Sequence, residues 1–204
     1  MAHRFSTRLL GVLALAAIAA ATLVAGASAQ SGQTLTLVGD RTKLVTDPAT
    51  TKVLLANGIS PRPVGPTGFD VPPRSKQSVR YSFPITGGSV NSATLAGTID
   101  HSGGINFVNT ANGKSLLLTS FRIEIGEDPG LTAQVGGTDL RVRILDLDLS
   151  RAKVISQGRV IRVKNVDATL TETAAGALNA TLGVSFFAAG IELGTAQVFA
   201  RVAA

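Results

Sequence analysis

The amino-acid sequence predicts a mainly β protein: an antiparallel β-sandwich or barrel-like domain with one or two short helices. Three observations lead there. From Ser78 onward the chain is a succession of short β-rich runs broken by the glycine pairs Gly87-Gly88, Gly103-Gly104 and Gly136-Gly137, the punctuation of antiparallel hairpins. Several runs alternate apolar with polar residues, as in Phe121-Arg122-Ile123-Glu124-Ile125, which buries one face of a strand and wets the other. Helical spacing of apolar residues is confined to short stretches.

The chain opens on a leader. His3, Arg4 and Arg8 form a basic start, Leu9 to Ala25 is an uncharged run rich in Leu, Ala and Val, and Ala27-Ser28-Ala29 supplies the small residues of a cleavage site. Residues 1–29 are therefore read as a signal peptide and residues 30–204 as a single β-rich domain with a Pro-rich loop at 60–73. No Cys follows the apolar run, which excludes a lipid-anchored lipoprotein, and no second run of that length occurs. The expectation is a secreted or extracytoplasmic cell-envelope protein with no spanning membrane segment after signal cleavage.

In the domain, Leu35 to Val38 reads as a short strand. Asp47-Pro48 opens a short helix over Ala49 to Asn57, with Asp as cap, Pro at the first helical position and Gly58 as the stop. Five prolines between Ser60 and Pro73 make an extended loop or edge segment, because Pro cannot donate to a central ladder. Leu95, Ile99 and His101 share one face of a strand that Ser102-Gly103-Gly104 turns into Ile105 to Val108. Lys114 to Ile125 is a long strand. The apolar phase slips from Leu140, Val142 and Ile144 to Leu145, Leu147 and Leu149, which predicts a bulge or bend near Ile144-Leu145. A hairpin turns at Gln157-Gly158, and Val166 to Leu170 adds a strand. Thr171 to Leu182 is the best helix, capped by Thr171 and ended by Gly183, and Gly194 to Val202 is the closing strand.

Composition narrows the function. The formal charge is +6, but the cations are spread along the chain, with one Tyr and no Trp. That pattern supplies no basic stripe with a stacking platform, so no nucleic acid is expected as a partner. With zero Cys there are no disulfides, thiolate metal sites or Cys nucleophiles.

His101 is the only histidine after the leader, too few for a His-rich zinc site, and neither H-E-x-x-H nor G-x-S-x-G occurs. Asp100, His101 and Ser102 cannot form a triad, since strand neighbours point to opposite faces. No catalytic residue, metal or enzyme activity is expected. His101 is either a hairpin-end residue bonded to a nearby carbonyl or a ligand contact at a Gly-rich turn, imidazole being a natural haem partner. Tyr81 is the only phenol, read as a strand aromatic or a second ligand contact. Asp146 and Asp148 share a strand face, and with Glu124, Glu127 and Asp128 they are read as solvent-face charges pairing with Arg122, Arg141 or Arg143.

Tyr81-Ser-Phe-Pro-Ile-Thr-Gly-Gly, followed by Leu95-Ala-Gly-Thr-Ile-Asp-His-Ser-Gly-Gly-Ile-Asn-Phe107, resembles the central motif of the HtaA-type domain of exported actinobacterial proteins. Leu170-Thr-Glu-Thr-Ala-Ala-Gly-Ala-Leu-Asn and Phe187-Ala-Ala-Gly190 resemble its closing region. The resemblance implies a secreted or surface β-rich domain that in its studied members binds haem for iron acquisition. His101 falls on the family's G-x-x-x-H-x-G pattern. The family's haem binders place a ligating Tyr in an N-terminal aromatic segment, whereas Leu35 to Gly58 holds no Tyr or Trp. The reading is thus an exported non-catalytic domain binding haem or another apolar ligand, with His101 and Tyr81 as the ligand contacts. The alternative is a cell-envelope structural or protein-interaction module, without haem, whose partner is a cell-surface protein.

Overall fold

The computed structural model describes residues 32–73, 75 and 77–204; the expected leader lies outside them. Eight antiparallel strands close a ring: β1 (Thr34–Thr46), β4 (Arg80–Asn91), β5 (Gly97–His101), β7 (Ser115–Ile125), β8 (Gly130–Val135), β9 (Arg141–Asp148), β11 (Val160–Leu170) and β12 (Glu192–Val202). The last of these pairs with β1, so no edge is left in the ring. Of the two architectures the sequence allowed, the barrel is the one formed. Four further strands extend it: β2 (Ile59–Val64) lies on β6 (Gly104–Asn109), β6 on β7, β3 (Gly68–Asp70) on β4, and β10 (Lys153–Gln157) on β11.

Both helices form where capping chemistry places them. In α1 (Pro48–Ala56) the Asp47 carboxylate accepts from the Thr50 N–H at 2.7 Å. In α2 (Glu172–Leu182) the Thr171 hydroxyl accepts from the Ala174 N–H at 3.1 Å, and Gly183 ends the helix in the left-handed region. They lie between β1 and β2 and between β11 and β12, so both sit at the same end of the barrel.

Several local expectations change. Gly87-Gly88 and Gly103-Gly104 are not hairpin turns. Gly88, at φ 116°, sits inside β4 where the register against β5 shifts, and a Cβ there would come within 2.2 Å of the Thr98 carbonyl oxygen. Gly103-Gly104 bends the chain without reversing it, so β5 and β6 both run along β7. Leu95 leaves the face of Ile99 and His101 for the β4–β5 turn, at φ 60°. The first strand is longer than expected, because a bulge between Leu37 and Gly39 carries the ladder past the polar Asp40-Arg41. Val166 to Leu170 is the second half of β11, joined to the first across a bulge with Asn165 at φ 60°. The Pro-rich segment at 60–73 contributes edge strands β2 and β3. The slip at Ile144-Leu145 buries both residues and coincides with a register shift in the β8–β9 pairing.

Asn109, 3 % exposed, ties β6 to the end of α2: its Nδ2 donates to the Leu182 carbonyl at 2.9 Å and its Oδ1 accepts from the Ala111 N–H at 2.9 Å. Asn109→Ala removes one of two donors to the Leu182 carbonyl and the acceptor of the Ala111 N–H, and should cost about 1 kcal/mol in urea denaturation. An unchanged midpoint would mean that Asn112, which donates to the same oxygen at 3.0 Å, suffices alone.

Candidate ligand-binding cavity

Alternation turns Thr42 and Leu44 of β1, Tyr81 and Phe83 of β4, Ile99 and His101 of β5 and Ala196 and Val198 of β12 into the barrel, where they line a cavity of about 290 Å³. That is close to the lower size of small-molecule sites. Leu37, Ile85, Val90, Ile161 and Ala200 are buried but outside this lining, so they fill the end away from the helices. At the helical end, Leu140, Thr173, Ala177 and Thr181 line the cavity and are also exposed. They form its rim, the last three as one stripe of α2. No Asp, Glu, Lys or Arg is among the lining residues.

Among the lining residues, His101 and Tyr81 are the histidine and the phenol, and both face inward. His101 is 5 % exposed, with Nδ1 3.2 Å from the Phe121 carbonyl oxygen and Nε2 2.7 Å from the Thr42 hydroxyl. A carbonyl can only accept, so Nδ1 carries the proton and donates, and Thr42 donates to the Nε2 lone pair. Burial lowers the imidazole pKa from 6.5 to about 4, so the ring is neutral. Tyr81, 3 % exposed, donates from its hydroxyl to the Pro61 carbonyl at 3.0 Å, and burial pushes its phenol up to about 12. Its ring lies between Phe69 and Phe83, at centroid distances of 5.4 and 6.4 Å.

Thr42 escaped the sequence reading. The one signal for it was a hydroxyl residue at an inward phase two before Leu44, and nothing in the sequence announced the His101 contact. The rim stripe was legible only as small residues at helical spacing.

The remaining candidates lie elsewhere. Asp100 points outward and pairs with Arg122 at 2.5 Å, on the opposite face from His101. Arg143 holds Asp128 at 2.7 Å and Asp146 at 2.9 Å, and its pKa is raised, first by the hydrogen bond to Asp128. Glu124 accepts from the Thr132 hydroxyl at 3.1 Å. Among the described residues no group of three or more His, Cys, Asp or Glu is placed to hold a metal ion.

Haem needs an axial ligand with an open lone pair, and any propionate drawn into the cavity would need a cationic partner. In this cavity Nε2 is covered by Thr42, Nδ1 is taken by Phe121, the phenol is held neutral, and among the described residues no cation lines the walls. The lining in this arrangement does not fit haem.

Fold and cavity together define a class, the small closed antiparallel barrels that enclose an apolar space. Within it, the chain belongs to the HtaA family (Htaa), whose family model matches residues 67–193. The fold is shared with the crystal structure of the C-terminal domain of HtaA from Corynebacterium glutamicum, at 16% identity and a TM-score of 0.62 over 83% of this chain and 99% of that one. A domain-swapped dimer of a histidine-to-alanine variant of the same domain is similar at 16% identity, with a TM-score of 0.53 over 76% and 91%. No curated protein matches the chain. Among the described residues no helix is long and apolar enough to cross a membrane.

Proposed function

We propose that this HtaA-family chain is an exported, non-catalytic domain of the cell envelope or the medium that holds an uncharged, apolar small molecule inside its barrel. One observation carries the reading: a cavity of about 290 Å³ reaches solvent at a rim on α2 and has, among the described residues, no charged side chain in its walls. Such walls reward apolar surface and penalise an ionised ligand left without a partner. His101 and Tyr81 are the proposed polar contacts. Their hydrogens are already donated to carbonyls, and the remaining lone pair of the Tyr81 oxygen can accept from a ligand hydroxyl or amide.

The test is a fluorescence titration of the processed protein with the neutral apolar dye Nile red, beside a haem titration followed by absorbance. Saturable dye binding near one equivalent is expected. Ala177→Trp, which plugs the rim from an exposed position, should weaken it at least tenfold without moving the melting temperature. A saturable Soret shift abolished by His101→Ala or Tyr81→Ala would replace the apolar ligand with haem. Failure of both titrations would leave an envelope-interaction module as the better account.

A further inference from the structure

The cations that look scattered in sequence are gathered by the fold. On β11 Ile161 and Val163 point inward and Arg162 and Lys164 outward; on β12 Val198 and Ala200 point inward and Phe199 and Arg201 outward; on β1 Thr42 points inward and Arg41 and Lys43 outward. Register sets the outward residues side by side. Ile155 lies opposite Arg162, Arg162 opposite Phe199, and Phe199 opposite Arg41. In the adjoining row Lys153 lies opposite Lys164 and Gln197 opposite Lys43. At about 4.8 Å per strand, three ladder steps from β10 to β1 gather these cations on one stretch of the outer wall, about 15 Å measured along the sheet.

Three features separate this face from ordinary solvated charge. Among the described residues, Lys43, Lys153, Arg162, Lys164 and Arg201 make no ion pair, whereas Arg41 at the edge of the face holds Asp40 and, elsewhere, Arg80, Arg122, Arg143 and Arg151 each hold a carboxylate. Lys153 directly opposes Lys164, a like-charge pair that costs a sheet stability and that an external anion would relieve. Phe199 lies under two of the cations, with Lys43 Nζ 5.2 Å and Arg162 Cζ 5.9 Å from its ring centre, which holds both on the outer surface.

We infer that this outer face of β10, β11, β12 and β1 docks the barrel on anionic lipid headgroups. A lipid surface suits it better than a soluble polyanion for two reasons. A hollow at its margin, beside Arg41 and Lys43, also carries Asp40 and Asp70, carboxylates that would repel a polyanion laid along it. Ile155, 45 % exposed, stands in the same row as Arg162, and a bilayer interface takes up an apolar side chain beside cations whereas a hydrated polymer does not. Each Lys or Arg near an anionic leaflet adds a comparable increment of attraction. The face is separate from the cavity, so its failure would leave the ligand reading untouched.

The experiment is co-sedimentation of the processed protein with vesicles of phosphatidylcholine alone and with phosphatidylglycerol added, at low and at physiological salt. Binding should require phosphatidylglycerol and weaken with salt. Combined K43Q, R162Q and K164Q should weaken it roughly a hundredfold while Nile red binding and melting stay unchanged. Ile155→Ser should weaken vesicle binding but leave any association with soluble polyphosphate as it was. Equal binding to both vesicle types, indifference to the triple substitution, or capture of polyphosphate without vesicles would each overturn the proposal.

Discussion

Replacing Gly97 with alanine should destabilise the protein by about 3 kcal/mol or more, among the largest effects expected of a single added methyl group. Gly97 has φ 147°, outside the range of L side chains, and its added Cβ would lie 2.0 Å from the Ser89 carbonyl oxygen and 2.8 Å from the Val90 Cα. Both atoms are backbone of the paired strand β4, so neither can step aside without breaking the β4–β5 ladder. Gly88 makes the reciprocal approach to Thr98, so the two strands press together at both positions. Gly176, exposed within α2 with nothing within 4 Å of its added Cβ, is the matched control. Alanine there should stabilise by up to about 1 kcal/mol through helix propensity. Urea denaturation of the two variants decides the matter, and equal midpoints would contradict the strand contact.

Acidification should remove about 3 kcal/mol of stability through His101 alone. The folded pKa, about 4, lies below the ordinary 6.5 because burial disfavours the imidazolium. Between those values the unfolded chain binds a proton that the folded chain refuses. The contribution is therefore complete above pH 6.5, falls as pH drops towards 4, and is lost below it. Asp70 and Asp148, whose pKa values are lowered by hydrogen bonds from Arg80 and from Ser150, push in the same direction at lower pH. The difference between wild type and a His101→Gln variant isolates the imidazole. Stability curves that stay parallel from pH 7 to pH 4 would remove His101 from the account.

Much of this barrel was legible in the sequence where local rules act alone. Caps at Asp47 and Thr171 and stops at Gly58 and Gly183 are chemistry between near neighbours, and they placed both helices. Period-two alternation gave β7 and β12, and the slip at Ile144-Leu145 betrayed a bulge because a single residue out of phase cannot be hidden in a strand with one buried face. What failed was the meaning of glycine pairs. A glycine that reverses the chain and one that lets two strands touch look alike until the partner strand is known, as Gly136-Gly137 and Gly87-Gly88 demonstrate. The bulges at Gly39 and Asn165 misled for a related reason, since each made one long strand look like a short one or like two.

The site divided along the same line. His101 was singled out as the histidine of a matched motif, and its inward direction followed from sharing a face with Ile99. Its partners Thr42 and Phe121 come from β1 and β7, at separations over which sequence carries no pairing information. The basic face was illegible for the same reason: Arg41, Arg162 and Arg201 become neighbours only through the β1–β12–β11 register.

The pairing of β1 with β12 also governs when this protein can fold. A ring whose first and last strands are neighbours has a seam that closes only after the final residues arrive, and the contacts across it span nearly the whole domain, the slowest kind to form. A chain that emerges N-terminus first would keep the barrel unsealed, and β1 without its β12 partner, until Val202 had emerged. Delayed closure would keep the chain pliable until synthesis of β12 was complete. It would also expose the emerging chain to aggregation, and make it a client for chaperones, for as long as that edge stayed bare.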